Sequence, residues 1–153
     1  MLAREMGASI VLTGAAGDED VVSEMASRLA TTGIHTLRLQ GVQDLVMLGA
    51  ILERCQMVLT GDTGPMHLAA AVGTPVLAVF GPSMPWRYQP LTPHHRVVRV
   101  DLPCSPCNRI RLPPERCQGH TPDCLAGVSV DAVVAAGRSL LAASGASARA
   151  GAR

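Results

Sequence analysis

Short apolar runs alternate with amphipathic or small-residue stretches along most of the chain. Residues 8–13, 34–39, 57–59, 75–80 and 96–100 are rich in Val, Leu and Ile and too short for buried helices. Gly or Pro bounds most of them, which predicts strands. Helical spacing fills the gaps. A helix starts near Asp18, with Asp18, Glu19 and Asp20 suited to its N-terminus and Val21, Val22, Met25 and Leu29 as its apolar face. A second spans 44–54, with Leu45, Leu48 and Leu52 inward and Ile51 beside them. A small-residue helix covers 66–72. A closing helix covers 129–141, with Ser129 as N-cap and Asp131 in its first turn. Residues 1–6 read as the last turns of a helix. Strands alternating with helices predict a doubly wound parallel α/β sheet. Residues 1–141 form its domain, 101–127 a Cys- and Pro-rich loop, and 142–153 a small, polar tail expected to be disordered. There is no internal repeat.

Composition narrows this picture. A chain of 153 residues has the length of one domain with a real core. Aromatics are only 2%, so Val, Leu, Ile and Ala must build that core, and stacking platforms for single-stranded nucleic acid are excluded. A net charge of +1 argues against a nucleic-acid partner or a polybasic membrane surface. No apolar run approaches the ~20 residues of a membrane span. With no signal peptide in the pattern, the expected location is cytoplasmic. All 13 basic residues are Arg, which removes any Lys-based phosphate contact or Schiff base from this chain.

The stretch that organises the chain is 57–82, MVLTGDTGPMHLAAAVGTPVLAVFGP. Strand, glycine-rich turn, helix and strand make a βαβ unit, whose ligands sit at the carboxyl ends of the strands. Asp62, Thr63 and Gly64 fall at such an end, where helix N-terminal amides face an anion. Gly64 lets a backbone approach closely, and Pro65 suits the first helical turn. His67, one turn on, can face the same pocket; the plainer reading is a helix-start His bonded to a carbonyl. D-T-G also occurs in aspartic proteases, but they need β structure after the motif, and a helix follows here. Thr13-Gly14-Ala15-Ala16-Gly17 could admit a phosphate or a ribose, or simply turn tightly. It is no P-loop, for want of Lys. Gly81-Pro82-Ser83 either closes the pocket or redirects the chain.

D-T-G-P-M-H-L-A-A-A-V-G-T-P-V-L-A-V-F-G-P resembles the signature of the family 9 glycosyltransferases, the bacterial lipopolysaccharide heptosyltransferases and their relatives. The resemblance runs from about Ile10 to about Leu141. It implies the Rossmann-like, nucleotide-sugar-binding C-terminal half of the two-domain GT-B architecture. It further implies metal-independent, inverting transfer from a nucleotide sugar such as ADP-heptose to a lipopolysaccharide core acceptor, with no cofactor. The donor-site residues it implies are Asp62, Thr63, Gly64, Pro65 and His67, with Thr13 and Gly14 at the first turn and Gly41 and Leu45 near base and ribose. Asp62 would accept hydrogen bonds from sugar hydroxyls. No catalytic residue is expected in this chain. The family's N-terminal acceptor domain, with its carboxylate base, has no counterpart here, nor does the strand-and-helix segment that carries a phosphate-contacting Lys. The chain therefore reads as a fragment, inactive alone, of an enzyme that would touch the inner face of the inner membrane peripherally. The alternatives are a non-catalytic nucleotide-binding module or split subunit, and an epimerase-like GT-B protein.

Cys104, Cys107, Cys117 and Cys124 form the remaining constellation, with His120 between the last two. Four cysteines with one C-x-x-C pair can close a structural Zn²⁺ site. Reduced thiols, a redox-sensitive pair and an iron–sulfur cluster are the other readings. Arg109, Arg111 and Arg116 cluster there and could meet an acidic acceptor. Cys55 reads as a buried helix residue.

Overall fold

The computed structural model describes residues 1–42, 44–109 and 112–145. The chain divides into two compact units, Met1–Ala50 and Ile51–Arg153.

In the first unit, α1 (Leu2–Glu5) leads into β1 (Ile10–Gly14), α2 (Glu19–Ala30) and β2 (Thr36–Gln40). β1 and β2 pair in parallel, Ile10 opposite Thr36 and Gly14 opposite Gln40, so α2 is the crossover that a parallel pair requires. Arg38 fastens β2 to this helix by donating to Glu19 at 3.0 Å and to Ser23 Oγ at 2.9 Å. Leu12 and Val22 are buried here. Val21 and Met25, expected on the inward face of α2, are exposed, because Val22 takes the inward position one residue on. Asp44 caps α3 (Leu45–Glu53) by accepting from the Val46 amide at 2.8 Å. Leu48 and Leu52 are buried as expected, but Leu45 is 69% exposed, since it sits in the first turn.

The second unit holds β3 (Val58–Gly61), α4 (Gly64–Ala71), β4 (Val76–Val79), α5 (Pro85–Tyr88), β5 (His95–Val98), α6 (Asp123–Ala126) and α7 (Val130–Ser144). Its sheet is parallel in the order β3-β4-β5. The expected parallel pairing and helical crossovers are present, and the ladders form two sheets of two and three strands. Leu77, Val98 and Leu140 make a buried cluster, with Val133 and Ala136 of α7 packed on it. Strand alternation puts Val76 and Ala78 on the opposite face from Leu77. They are also buried, so β4 is covered on both sides as a central parallel strand should be. In β3, at the edge of this sheet, the apolar Leu59 is exposed. Thr74 is buried and donates its hydroxyl at 2.8 Å to the carbonyl of Leu52, which belongs to this same unit.

Two short helices went unforeseen. α5 lies in the Pro-rich stretch after β4 and α6 in the Cys-rich loop, each four residues started by a proline-containing turn. α7 has the expected Ser129 cap, whose Oγ accepts from the Ala132 amide at 3.2 Å. It runs past 141 to Ser144, where Gly145 ends it in the left-handed conformation at φ 63°. Residues 142–144, expected in the tail, are thus helical, and residues 146–153, on which the rest of that expectation falls, lie outside the described part. Among the described residues no helix is long and apolar enough to cross a membrane.

Candidate functional site

β3 ends at Gly61, and Asp62 and Thr63 make the turn into α4. Thr63 takes the extended N-cap conformation (φ −145°, ψ 166°), but its side chain caps no amide. Its Oγ1 instead meets Thr60 Oγ1 at 3.1 Å, and Thr60 Oγ1 donates to the Gly61 carbonyl at 3.2 Å. The helix N-terminus therefore has no side-chain oxygen of its own, and the Gly64 amide stays exposed at the positive end of the dipole. Thr60 was not singled out from the sequence; its only signal is a hydroxyl just before the glycine that ends the strand.

Met66 and Ala69 on α4 are fully buried. His67 follows Met66 and is exposed. It lies three and four residues after Gly64 and Thr63, hence on the face they share. Among the described residues neither the His67 ring nor the Asp62 carboxylate has a hydrogen-bonding partner. The plainer reading of His67, a ring tied to a backbone carbonyl, is therefore not what the structure holds. Asp62 is half-buried, and Thr63, Gly64 and Pro65 are exposed. The second unit thus gathers Asp62, Thr63, Gly64, Pro65 and His67 at one end of its sheet.

The first unit gathers Thr13, Gly14 and Gly41 at the carboxyl end of its two strands. The Gly41 amide donates to the Gly14 carbonyl at 3.0 Å, and Gly41 has φ +68°, a conformation that favours glycine. A Cβ on Gly14 would lie 3.0 Å from Val22 Cγ2 and 3.1 Å from Asp18 Cβ, so this glycine serves the close packing of α2. The next amide, Ala15, donates to the Asp18 carboxylate at 2.8 Å. That amide is already satisfied by the chain's own acid. Leu45 stands exposed at the start of α3 in the same unit.

The four loop cysteines line a single cavity of about 270 Å³ in the second unit. Cys124 is buried, Cys107 and Cys117 are half-buried and Cys104 is exposed. Burial pushes the Cys124 thiol up, and the charges of Cys107 and Cys117 push the same way, against hydrogen bonds from its own backbone and Ser105. Among the described residues no three His, Cys, Asp or Glu side chains stand as a metal shell. The cavity wall is anchored on the end of β4. Ser105 Oγ donates to the Gly81 carbonyl at 2.9 Å and the Asn108 amide to the Pro82 carbonyl at 2.7 Å. Arg99 Nη2 donates to the Ser105 carbonyl at 3.0 Å. The Gly81-Pro82-Ser83 turn is thus the anchor of the Cys-rich loop.

Cys55 lies just beyond α3, half-buried rather than inside the helix, because the helix ends at Glu53. Its thiol is directed at the Ile51 carbonyl at 3.4 Å, and burial holds its pKa above the ordinary 9.0. A raised folded-state value means the unfolded chain loses this proton first. Its contribution to stability is present below about pH 9 and is lost as pH climbs through the raised value. Cys55→Ala should flatten the decline of the urea midpoint above about pH 9; parallel declines in both proteins would refute this assignment.

The profile of glycosyltransferase family 9 (heptosyltransferase) matches residues 2–116. Lipopolysaccharide heptosyltransferase 2 of Escherichia coli is 35% identical over 95 residues, which cover 61% of this chain and 27% of that protein. Lipooligosaccharide heptosyltransferase 2 of Haemophilus influenzae is 33% identical over 95 residues, covering 61% and 28%. Among solved structures, a family 9 glycosyl transferase from Veillonella parvula superposes with a TM-score of 0.72 at 27% identity, covering 91% of this chain and 38% of that one. The E. coli ADP-heptose lps heptosyltransferase II gives 0.72 at 26%, covering 93% and 40%. The chain spans between 27% and 40% of the length of these proteins.

Proposed function

Because this chain belongs to glycosyltransferase family 9, the heptosyltransferase family, we propose that it forms the donor side of heptosyl transfer from ADP-heptose to a lipopolysaccharide core. The observation that carries the reading is the uncapped N-terminus of α4 beside a carboxylate and an imidazole that have no partner among the described residues.

In such a transfer the bond from the anomeric carbon to the diphosphate oxygen breaks as the acceptor oxygen attacks. Negative charge collects on the departing diphosphate. Donors fixed in advance where that charge appears lower the barrier without reorganising. The Gly64 amide, the Thr63 hydroxyl and the dipole of α4 supply such donors. Asp62 would repel a diphosphate, so its place is on the sugar, accepting from hydroxyls as carboxylates do. His67, on the same helix face, would hydrogen-bond a phosphate oxygen or a sugar hydroxyl. Acceptor and general base belong to the part of the enzyme that this chain does not span. The chain by itself therefore binds donor and transfers nothing. It has no Lys to add a mobile positive charge, so its affinity for ADP should be weaker than micromolar.

An NMR titration with ADP, UDP, GDP and ADP-heptose tests this. Amide shifts confined to Thr63, Gly64 and His67 in the second unit, larger for adenine ligands, are expected. A response only to uridine or guanosine ligands would assign another donor, and the absence of any response would overturn donor binding by this chain.

A further inference from the structure

The stretch from Asp101 to Gly127 has little packing to hold it in place. Its longest helix among the described residues is the four-residue α6, and Cys124 is its only member of the buried apolar core. Such a segment lacks the apolar burial that normally offsets chain entropy. Core-poor structures meet that deficit with covalent or metal staples. Among the described residues no three metal-binding side chains stand together, so the four loop thiols do not fit a metal. They do share one cavity, and all are reduced.

Two of them dock at the same place. Cys107 lies between two anchors on the turn after β4: Ser105 Oγ donates to the Gly81 carbonyl at 2.9 Å, and the Asn108 amide to the Pro82 carbonyl at 2.7 Å. Cys124 Sγ lies 3.3 Å from where a Cβ on Gly81 would be, and Ser105 also hydrogen-bonds this thiol. The charge of Cys107 acts on Cys124, which sets the two sulfurs close across the cavity. Cys117 acts on it too, but it ends a short turn over Glu115–Cys117 that carries no such anchor to β4. Cys104 is the exposed member of the four.

We propose that Cys107 and Cys124 are a redox-sensitive pair, whose disulfide staples the loop to the end of β4. Cys107 is half-buried and Cys124 buried, so Cys107 opens the exchange. Its thiolate attacks one sulfur of a small, carboxylate-bearing disulfide of the glutathione class and expels one thiol. Cys124 Sγ then attacks Cys107 Sγ in the mixed disulfide and expels the second. The two protein thiols give up two protons and two electrons, and the small disulfide takes them up as two thiols. Arg109 and Arg116 line the cavity and attract the carboxylates of that oxidant, with Asp123 opposing them in part. The bond closes the loop from 107 to 124 and so removes conformational freedom from the unfolded chain. Donor binding at α4 is not required for this pair, and the two readings stand or fall separately.

The test uses the full chain, reduced and then equilibrated at a series of ratios of reduced to oxidised glutathione. Free thiols are alkylated and bonds are mapped by mass spectrometry. Loss of two of the five thiols, joined as Cys107 to Cys124, is expected. The bond should be favoured by roughly tenfold or more in the folded chain over the same chain in urea, because the fold raises the effective concentration of the pair. By linkage, the oxidised chain should unfold at a higher urea concentration than the reduced one. That rise should vanish in Cys107→Ser and persist in Cys104→Ser and Cys117→Ser. Bond mapping and the ratio of folded to unfolded preference are read on the unmutated chain, so they hold even if a variant fails to fold. A glutathione adduct that never resolves, a bond between any other two cysteines, or equal preference in urea would each overturn the proposal.

Discussion

Asp62→Ala is expected to weaken ADP-heptose binding by roughly 10- to 100-fold while leaving ADP unchanged or slightly tighter. The argument rests on what the carboxylate touches. Among the described residues it has no partner, so removing it strands no donor and breaks no internal network. The turn should survive, held by the Thr60–Thr63 contact and by the Met66 amide donating to the Thr63 carbonyl at 3.1 Å. What is lost is the set of hydrogen bonds to sugar hydroxyls, each about 1.5–3 kcal/mol when one member is charged. One such bond corresponds to the stated range at about 1.4 kcal/mol per factor of ten. ADP lacks the heptose and carries negative charge near this carboxylate, so it should gain from its removal. Calorimetric titration of both ligands into both proteins gives the comparison. Equal losses for ADP and ADP-heptose would show that Asp62 shapes the turn and does not read the sugar.

The second large effect concerns stability. Gly81→Ala is expected to cost about 1–3 kcal/mol, as overpacking of a buried position does. An added Cβ would lie 2.6 Å from Leu125 Cγ and 2.7 Å from its Cδ2, distances that no side-chain torsion of alanine can relieve. Gly81 does not have positive φ, so the cost is steric and not conformational. The strained element is α6, and the displaced residues are Cys124 and Leu125, so the far wall of the cysteine cavity moves with them. Urea denaturation should show a lower midpoint for Gly81→Ala and a partial recovery when Leu125→Ala is added, since the two side chains compete for one space. A midpoint equal to that of the unmutated protein would mean that the loop gives way freely and is not docked on β4.

These two positions differ in how readily the sequence exposes them. Asp62 could be found from the chain alone. An apolar run, D-T-G-P and a small-residue helix lie within about a dozen residues, and each part is a local statement: glycine for a tight turn, proline for a first turn, a strand end for a ligand. The strand, turn and helix found there differ from expectation only at their ends, α4 beginning at Gly64 instead of Met66. Gly81 could not be read so. Before the structure it was either a pocket lid or a bend. Its role lies in contacts with residues 105, 124 and 125, far along the chain.

Local pattern by itself determined the parallel α/β class, five strands within one or two residues of their true ends, the capped closing helix and the turn that carries Asp62, Thr63, Gly64 and His67. These follow from backbone propensity and side-chain periodicity, which act over a few residues. Tertiary structure alone decided that the ladders form two sheets, that Leu45, Val21 and Leu59 face solvent, that Asp18 fills the amide after Gly14, and that four scattered cysteines share one cavity. Each of these depends on which distant segment arrives opposite, and an apolar residue carries no record of its neighbour. Burial is a property of the pair and the sequence writes only one member at a time.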